Sequence, residues 1–407
     1  TAPAWQAIVP SMVPRPALQQ AVAVNSVGIN ISRAIGPALA GLLITTVGLA
    51  WPFLINALSF LVVVAALWWW RPAAAAQRRL PPEDLLGAIR SGLRYAWHSE
   101  PLKATLQRAV GFFLFASAYW AMLPLIAKDV LGGGAQLYGI LLACIGVGAV
   151  AGAFTLPWLR ERLGPDRVVA AGTLGTALAM TLFATVHLPV VAAAASLLAG
   201  LSWIAVLTSL NVSAQVALPD WVRARGLSIF VTVFFGAQTA GSMLWGQTAS
   251  QLGIPAALLI ASAGAVVAIA LTWRSKLQQG SQMNLAPSMH WPEPVGSAEL
   301  SHDRGPVMIT IEYRIDPARG AEFTAVMDDL SGQRRRDGAY AWGLFEDSEQ
   351  PGRYLEYFLV SSWLEHLRQH ERVTHTDKDT QVRARIFHIG ASPPKVSHFL
   401  APARKTD

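Results

Sequence analysis

Eight long apolar stretches occupy the first two-thirds of this 407-residue chain, and positive charge falls on alternate links between them. The stretches are Val22–Val47, Trp51–Trp70, Ala109–Val130, Tyr138–Leu159, Val168–His187, Val190–Leu210, Leu227–Gln251 and Pro255–Trp273. Each is about 20 residues or longer, enough for a helix to cross a hydrocarbon core of about 30 Å. Lipid offers the backbone no hydrogen-bond partners, so a single crossing segment has to be a helix. The second, fourth and sixth links carry Arg71, Arg78, Arg79, Arg90, Arg94, Lys103 and Arg108, then Arg160, Arg162 and Arg167, then Arg223 and Arg225. Lys128, Asp129 and His187 are the ionisable groups of the odd links. Lys and Arg stay on the cytoplasmic side, which predicts cytoplasmic even links and a cytoplasmic C-terminal segment. Trp51, Trp68, Trp69, Trp70 and Trp273 mark span ends, where interfacial aromatics belong.

Residues 1–279 hold 17 Lys and Arg against 7 Asp and Glu, whereas residues 280–407 hold 15 against 18. The basic excess therefore follows membrane topology and is no nucleic-acid footprint. Cys144, the one cysteine, lies inside a span, so no internal disulfide forms. No signal peptide is visible. Thr1–Val9 reads as the end of a further apolar helix, and the expectation is an N-terminally truncated chain.

The second link divides the spans two and six. Within it Leu85, Ile89, Leu93 and Trp97 recur at helical spacing beside a stripe of Arg90, Arg94 and His98. Such a helix either lies on anionic headgroups or packs on protein as a connector. Gln278–Gly305 has linker composition. Beyond it, Val307–Arg314 alternates like a strand, and Pro317–Arg336 reads as a helix with Phe323, Val326, Met327 and Leu330 on one face. Ala339–Phe345 and Arg353–Val360 read as strands, Trp363–Arg372 as a helix and Arg383–Ile389 as a last strand. The order β-α-β-β-α-β is the split motif of ferredoxin-like domains.

The run Arg33-Ala34-Ile35-Gly36-Pro37-Ala38-Leu39-Ala40-Gly41 resembles the antiporter motif in the fifth helix of major facilitator superfamily exporters. Ser32 and Ala40 stand where that motif has glycines. Pro37 would bend the helix, while Gly36 and Gly41 permit close helix contact. Leu159–Arg167 and Pro219–Gly226 resemble the short cytoplasmic loops between helices eight and nine and between ten and eleven. Gln333–Ala339 and Ser362–Arg372 resemble the C-terminal domain of the enterobactin-exporter-like subgroup, the transmembrane secretion effectors.

The resemblance implies an all-α polytopic bundle of the major facilitator fold, holding helices 5–12 and the end of helix 4. A C-terminal α+β ferredoxin-like cytoplasmic domain follows. The expected divisions are 1–70 for the rest of the N-terminal helical half, 71–108 for the central loop with its amphipathic helix, 109–276 for the C-terminal half, 277–304 for the linker and 305–400 for the ferredoxin-like domain. It also implies a multi-pass protein of the bacterial inner membrane, a proton-driven exporter of small hydrophobic or siderophore-like molecules by alternating access. Its expected partners are the lipid bilayer, small-molecule cargo and protons, with dimerisation through the C-terminal domain; no cofactor and no nucleic acid is expected.

Arg33 falls near the middle of a span, where a charge faces a cavity or a partner. Ser26, Asn30, Arg33 and Pro37 share one helix face. Arg33 either lines a water-filled path or holds helices together, and both roles need a counter-charge. Yet none of Glu83, Asp84, Glu100, Asp129, Glu161, Asp166 and Asp220 lies well inside a span. A carboxylate on a missing helix is the expected partner, and the fragment alone is then expected not to pump. Asn56, Asn211, Gln215 and Gln238 are further path candidates, and interhelical bonding is the competing role. Ser59, Thr208 and Gln247 are the other polar residues within spans. Arg160, Arg162, Asp166, Arg167, Arg223 and Arg225 are candidate gating residues of the cytoplasmic loops. Trp120, Trp203 and Trp245 offer aromatic surface either to cargo or to packing.

In the tail, His366 and His370 are one helical turn apart, a spacing that can bind zinc, but no third ligand has diagnostic spacing and no metal is expected. Glu365, Arg368, Glu371 and Arg372 suit a solvated face or a subunit contact. Arg334–Arg336 reads as a helix end capped by Asp337-Gly338, either solvated or gripping phosphate. The chain has no P-loop, so ATP-driven transport by it alone is not expected. A membrane-tethered enzyme with a monooxygenase-like tail, or a tail that senses cargo or dimerises to regulate a transporter, are the competing functions. No catalytic constellation favours the enzyme.

Overall fold

The computed structural model describes residues 47–48, 50–69, 80–81, 83–278, 284–288, 290–291 and 304–402. The chain divides into two compact units. The first comprises Thr1–Gln77, Ala104–Gln215 and Phe230–Gln278; the second comprises Arg78–Lys103, Val216–Ile229 and Gln279–Asp407.

Among the described residues six helices are long and apolar enough to cross a membrane. They are α1 (Ala50–Trp69), α3 (Glu100–Leu125, continued by a π-helical turn at Ile126–Val130), α4 (Ala135–Thr185), α5 (Pro189–Val216), α6 (Arg223–Leu252) and α7 (Ile254–Thr272). At 1.5 Å per residue, α4 would run about 75 Å if straight, more than twice a hydrocarbon core. It breaks at Gly164, whose φ of 77° interrupts the helix before Pro165 restarts it. Its two arms correspond to Tyr138–Leu159 and Val168–His187, so the charged link between those spans is a kink rather than an open loop. The first expected span, apart from Val47, lies outside the described residues.

Small residues let the helices of the first unit approach backbone to backbone. A Cβ on Gly148 of α4 would strike the Leu197 carbonyl of α5, and one on Gly200 of α5 would strike the Ile145 carbonyl of α4. The Trp245 indole of α6 donates to the Leu114 carbonyl of α3 at 2.7 Å. A Cβ on Gly241, one turn before Trp245, would meet that same carbonyl.

The second unit contains α2 (Leu85–His98) and an α+β domain. The domain runs β1 (Val307–Arg314), a 3₁₀ turn (Pro317–Arg319), α8 (Gly320–Asp337), β2 (Ala341–Glu346), β3 (Arg353–Val360), α9 (Trp363–Arg372), α10 (His375–Ile386) and β4 (Lys395–Leu400). The sheet order is β2-β3-β1-β4 with every neighbouring pair antiparallel, the split β-α-β order of ferredoxin-like domains. Strand alternation puts Val307, Ile309, Ile311 and Tyr313 of β1 and Phe358 and Val360 of β3 on one face, against Phe323, Met327 and Leu330 of α8.

One expected element is wrong. Arg383–Ile389 is not the last strand: most of it ends α10, and the last strand is Lys395–Leu400. Thr374 and Asp377 form a reciprocal capping box that starts this helix, and its local hydrogen bonds outweigh the apolar alternation near its end. Similar caps start α2, where Asp84 accepts from the Gly87 amide, and α9, where Ser362 accepts from the Glu365 amide. Gly338, at a φ of 144°, ends α8.

Candidate functional site

The first unit concentrates its aromatic side chains around Trp203 of α5. That indole meets Phe113 at 5.3 Å and Trp120 at 5.4 Å between ring centroids, both edge-on, and Phe112 at 5.8 Å. Tyr119 and Phe234 close the group at 6.4 Å each. Three helices, α3, α5 and α6, contribute. The Tyr119 hydroxyl and the Trp120 indole N–H, neighbours in this group, are buried with no hydrogen-bond partner beyond each other among the described residues. A buried polar group normally finds a partner, so these two are the polar positions of the ring group. Edge-on rings with spare donors suit a cargo that is itself aromatic and hydroxylated.

The path candidates from the sequence divide. Ser26, Asn30, Arg33, Gly36, Pro37 and Gly41 lie outside the described residues. Asn56 is exposed on α1. Asn211 and Gln215 of α5 and Gln238 of α6 are half-buried. The aromatic group around Trp203 joins two of the three tryptophans named from sequence, Trp120 and Trp203, to four further rings, which sequence spacing could not bring together because they sit on three helices.

The gating candidates take several roles. Asp166, beside the α4 kink, meets the buried Arg108 at 3.0 Å and accepts from the Leu277 amide at 3.1 Å. Arg108 also donates to the Ser275 carbonyl at 2.7 Å; it was counted in sequence only as a topology charge. Arg162 stacks over Trp158 at 4.4 Å. Arg160 is half-buried and Arg167 exposed. Arg223 pairs with Asp220 at 2.7 Å.

Arg225 belongs to a cluster inside the second unit. Glu83, just before α2, receives Arg225 at 2.6 Å and Arg372 of α9 at 2.7 Å. Arg372 also meets Glu365 at 2.7 Å, donates to the Asp337 carbonyl at 2.8 Å and lies over Trp221. Glu365 receives Arg94 of α2 at 2.9 Å. Desolvation opposes the Glu83 carboxylate, but Arg372 and Arg225 outweigh it and hold its pKa below the usual range. Three stretches far apart in sequence are thus tied by alternating charges. Arg94 of the basic stripe faces protein, as the connector reading has it, while Leu85, Ile89, Leu93 and Trp97 remain exposed. One alternative fails here. Glu365 and Arg372 are buried, so α9 does not present them on a solvated face.

Of the run Arg334–Arg336, only Arg335 is exposed; the other two are drawn into ion pairs. Arg334 is buried and donates through Nε to Glu356 Oε1 at 3.0 Å; Arg336 pairs with Asp337 at 2.8 Å and Asp377 at 2.7 Å. Glu356, with no exposed surface, further accepts from the Trp342 indole at 3.1 Å and the Tyr313 hydroxyl at 3.1 Å. Glu356 stands on β3 and Asp377 on α10, while Asp337 ends α8 itself, so the charges are matched inside the domain. His366 and His370 do come together, Nε2 to Nε2 at 3.4 Å, with His398 of β4 beside His366. Among the described residues no group of three or more His, Cys, Asp or Glu is placed to hold a metal ion.

The family model described as transmembrane secretion effector matches residues 1–406. Among curated relatives, a protein of Salmonella choleraesuis strain SC-B67 named enterobactin exporter EntS is 28% identical over 263 residues, 64% of this chain and 62% of the relative. One of the same name from Escherichia coli O1:K1 / APEC is 29% identical over 177 residues, 44% of this chain and 42% of the relative. The chain thus spans less than two-thirds of these relatives' length. A solved bacterial homologue of the human lysosomal transporter Spinster is 15% identical, with a TM-score of 0.40 over 66% of this chain and 71% of that one.

Proposed function

We propose that this chain, which belongs to the transmembrane secretion effector family of the major facilitator superfamily, works in a secondary transporter that exports small aromatic or siderophore-like molecules from bacteria. The family match over residues 1–406 carries this reading, and relatives named enterobactin exporters support export as its direction. The multi-pass bundle lies in the inner membrane, and the α+β domain lies on the cytoplasmic side, in keeping with the basic even links.

Cargo meets the rings around Trp203, where aromatic faces supply contact and the Tyr119 and Trp120 donors orient hydroxyls. Asn211, Gln215 and Gln238 extend that path. Transport runs by alternating access, with protons as the coupling ion. Arg33 lies in the coupling path, set by its place inside an apolar span. Arg108–Asp166 and Asp220–Arg223 hold the cytoplasmic ends of the helices during the cycle.

The test is accumulation of fluorescent dyes and catechol siderophores in an efflux-deficient bacterium, with and without a protonophore. Expression of the whole coding sequence that holds this chain should lower accumulation, and the protonophore should restore it. Trp203→Ala should raise accumulation of aromatic compounds selectively, and Arg33→Ala should abolish the protonophore-sensitive part. Unchanged accumulation on expression, with the protein present in the membrane, would contradict export.

A further inference from the structure

The α+β domain encloses a cavity of about 330 Å³ between its sheet and its helices, a volume in the range of small-molecule sites. Ile309, Ile311, Phe358 and Val396 supply apolar walls from the sheet. His366 and His370 from α9 and His398 from β4 supply a row of imidazoles. Trp291 closes another side, edge-on to His370 at 4.8 Å.

Trp291 stands in the stretch read from sequence as a linker, yet its place is built. Its indole N–H donates to Gln381 Oε1 at 2.8 Å, and His290 contacts the same oxygen at 3.0 Å. The segment before it pairs with the start of α10: the Ser288 amide donates to the Val373 carbonyl at 2.9 Å, and the His375 amide to the Ala286 carbonyl at 3.1 Å. Packing alone does not require such a wall over an open cavity.

The polar groups facing the cavity have capacity to spare. Arg334, 5% exposed, uses Nε for Glu356, and its guanidinium otherwise lies over Phe358 at 4.7 Å and Trp291 at 5.1 Å. Glu356 already balances its charge, so a ligand need not be a strong anion. Burial, then the neighbouring imidazoles, depress His366 to about 3 and His370 to about 4. Arg334 faces both rings, and Gln369 contacts His366 Nδ1 at 3.4 Å. Both rings are therefore neutral near pH 7, and a neutral imidazole can donate on one nitrogen and accept on the other.

We infer that this cavity is a binding site for a planar aromatic molecule of two or three rings bearing hydroxyl or carboxylate oxygens. The ring system lies between the sheet residues and Trp291, and the oxygens meet His370 and the free edge of Arg334, with His366 holding the His370 ring in place. The site is separate from the transport path and does not rest on what the bundle carries. α9 gives it a route to the rest of the unit: His366 and His370 face the cavity, while Glu365 and Arg372 of that helix hold Arg94 and Glu83.

The test uses the whole chain in phosphatidylcholine nanodiscs, with empty nanodiscs subtracted, and equilibrium dialysis against 3-hydroxy-2-naphthoate or naphthalene. The naphthoate should bind one site per chain at least tenfold more tightly than naphthalene. Val396→Trp, which fills the cavity from its exposed rim, should weaken naphthoate binding at least tenfold, and His370→Phe should erase the preference over naphthalene. Phe345→Ala, on an exposed ring of β2, should change neither affinity and reports that the domain stays folded. Equal binding by wild type and Val396→Trp, or equal affinity for both probes, would overturn the inference. So would tight binding of Zn²⁺ alone without naphthoate binding, which would make the imidazole row a metal site.

Discussion

The two units differ in what they bury: the helical unit mostly rings and small residues, the second unit several charges. In the helical unit, contact is made chiefly by small residues and rings, with the Arg108–Asp166 pair beside the kink; among the described residues polar side chains without partners occur in both units, Thr208 in the first and Gln333 and Gln369 in the second. In the second unit nearly every buried charge is matched: Arg334 with Glu356, Arg336 with Asp337 and Asp377, Arg372 with Glu365 and Glu83. Lipid supplies no hydrophobic drive between helices, so close approach at glycine and alanine does the holding. A water-exposed domain can bury charge only when its partner is in place.

The strongest way to break this contrast is to unmatch a charge. Glu356→Ala strands Arg334 in the domain interior and should cost about 3–5 kcal/mol. The loss should appear as early melting of the α+β domain, followed by proteolysis of the tail in nanodiscs. Replacing both partners, Arg334→Met with Glu356→Leu, should recover most of it. In the helical unit the matching break is steric. Gly200→Val puts side-chain atoms against the Ile145 carbonyl, and overpacking of this kind costs about 1–3 kcal/mol. It should lower the melting temperature of the bundle and leave tail proteolysis unchanged.

A smaller effect sharpens the comparison through pH. His366 and His370 titrate in the folded domain far below their ordinary 6.5. The unfolded chain takes up the protons first, so their contribution to stability is complete above about pH 6.5 and is lost as pH falls toward about 4. Tail melting should drop across that window, and His366→Phe with His370→Phe should flatten the drop. Smallest of all, Glu322→Gln removes an exposed pair with Arg319 and should shift stability by less than about 1 kcal/mol. A large effect there would undo the claim that burial, not the number of ion pairs, decides what matters in this unit.

Much of the architecture was legible because it follows from local pattern. Apolar length exposed the spans, and alternation exposed Val307–Arg314 and Arg353–Val360 with the bounds they have in the structure. Arg383–Ile389 misled because Ala384, Ile386 and Phe387 imitate a strand, although the Thr374–Asp377 capping pair stood in the sequence as the contrary signal. The candidate sites were less legible because their partners are distant. Nothing near Arg334 announces Glu356, 22 residues on, and Glu83 and Arg372 are 289 residues apart. Trp291 was hidden by its neighbours' linker composition. The close approach at Gly148 and Gly200 has no signature beyond two glycines in apolar helices.

The central claim, that this chain works in an exporter coupled to protons, is tested most directly in proteoliposomes with an imposed pH gradient. The measurement is movement of a catechol siderophore against its own gradient, with internal pH recorded in the same vesicles. The account predicts uptake into inside-acidic vesicles of inverted orientation, a matching rise of internal pH, and loss of both with Trp203→Ala. Siderophore movement that ignores the pH gradient, or none at all from protein shown to be folded, would contradict it.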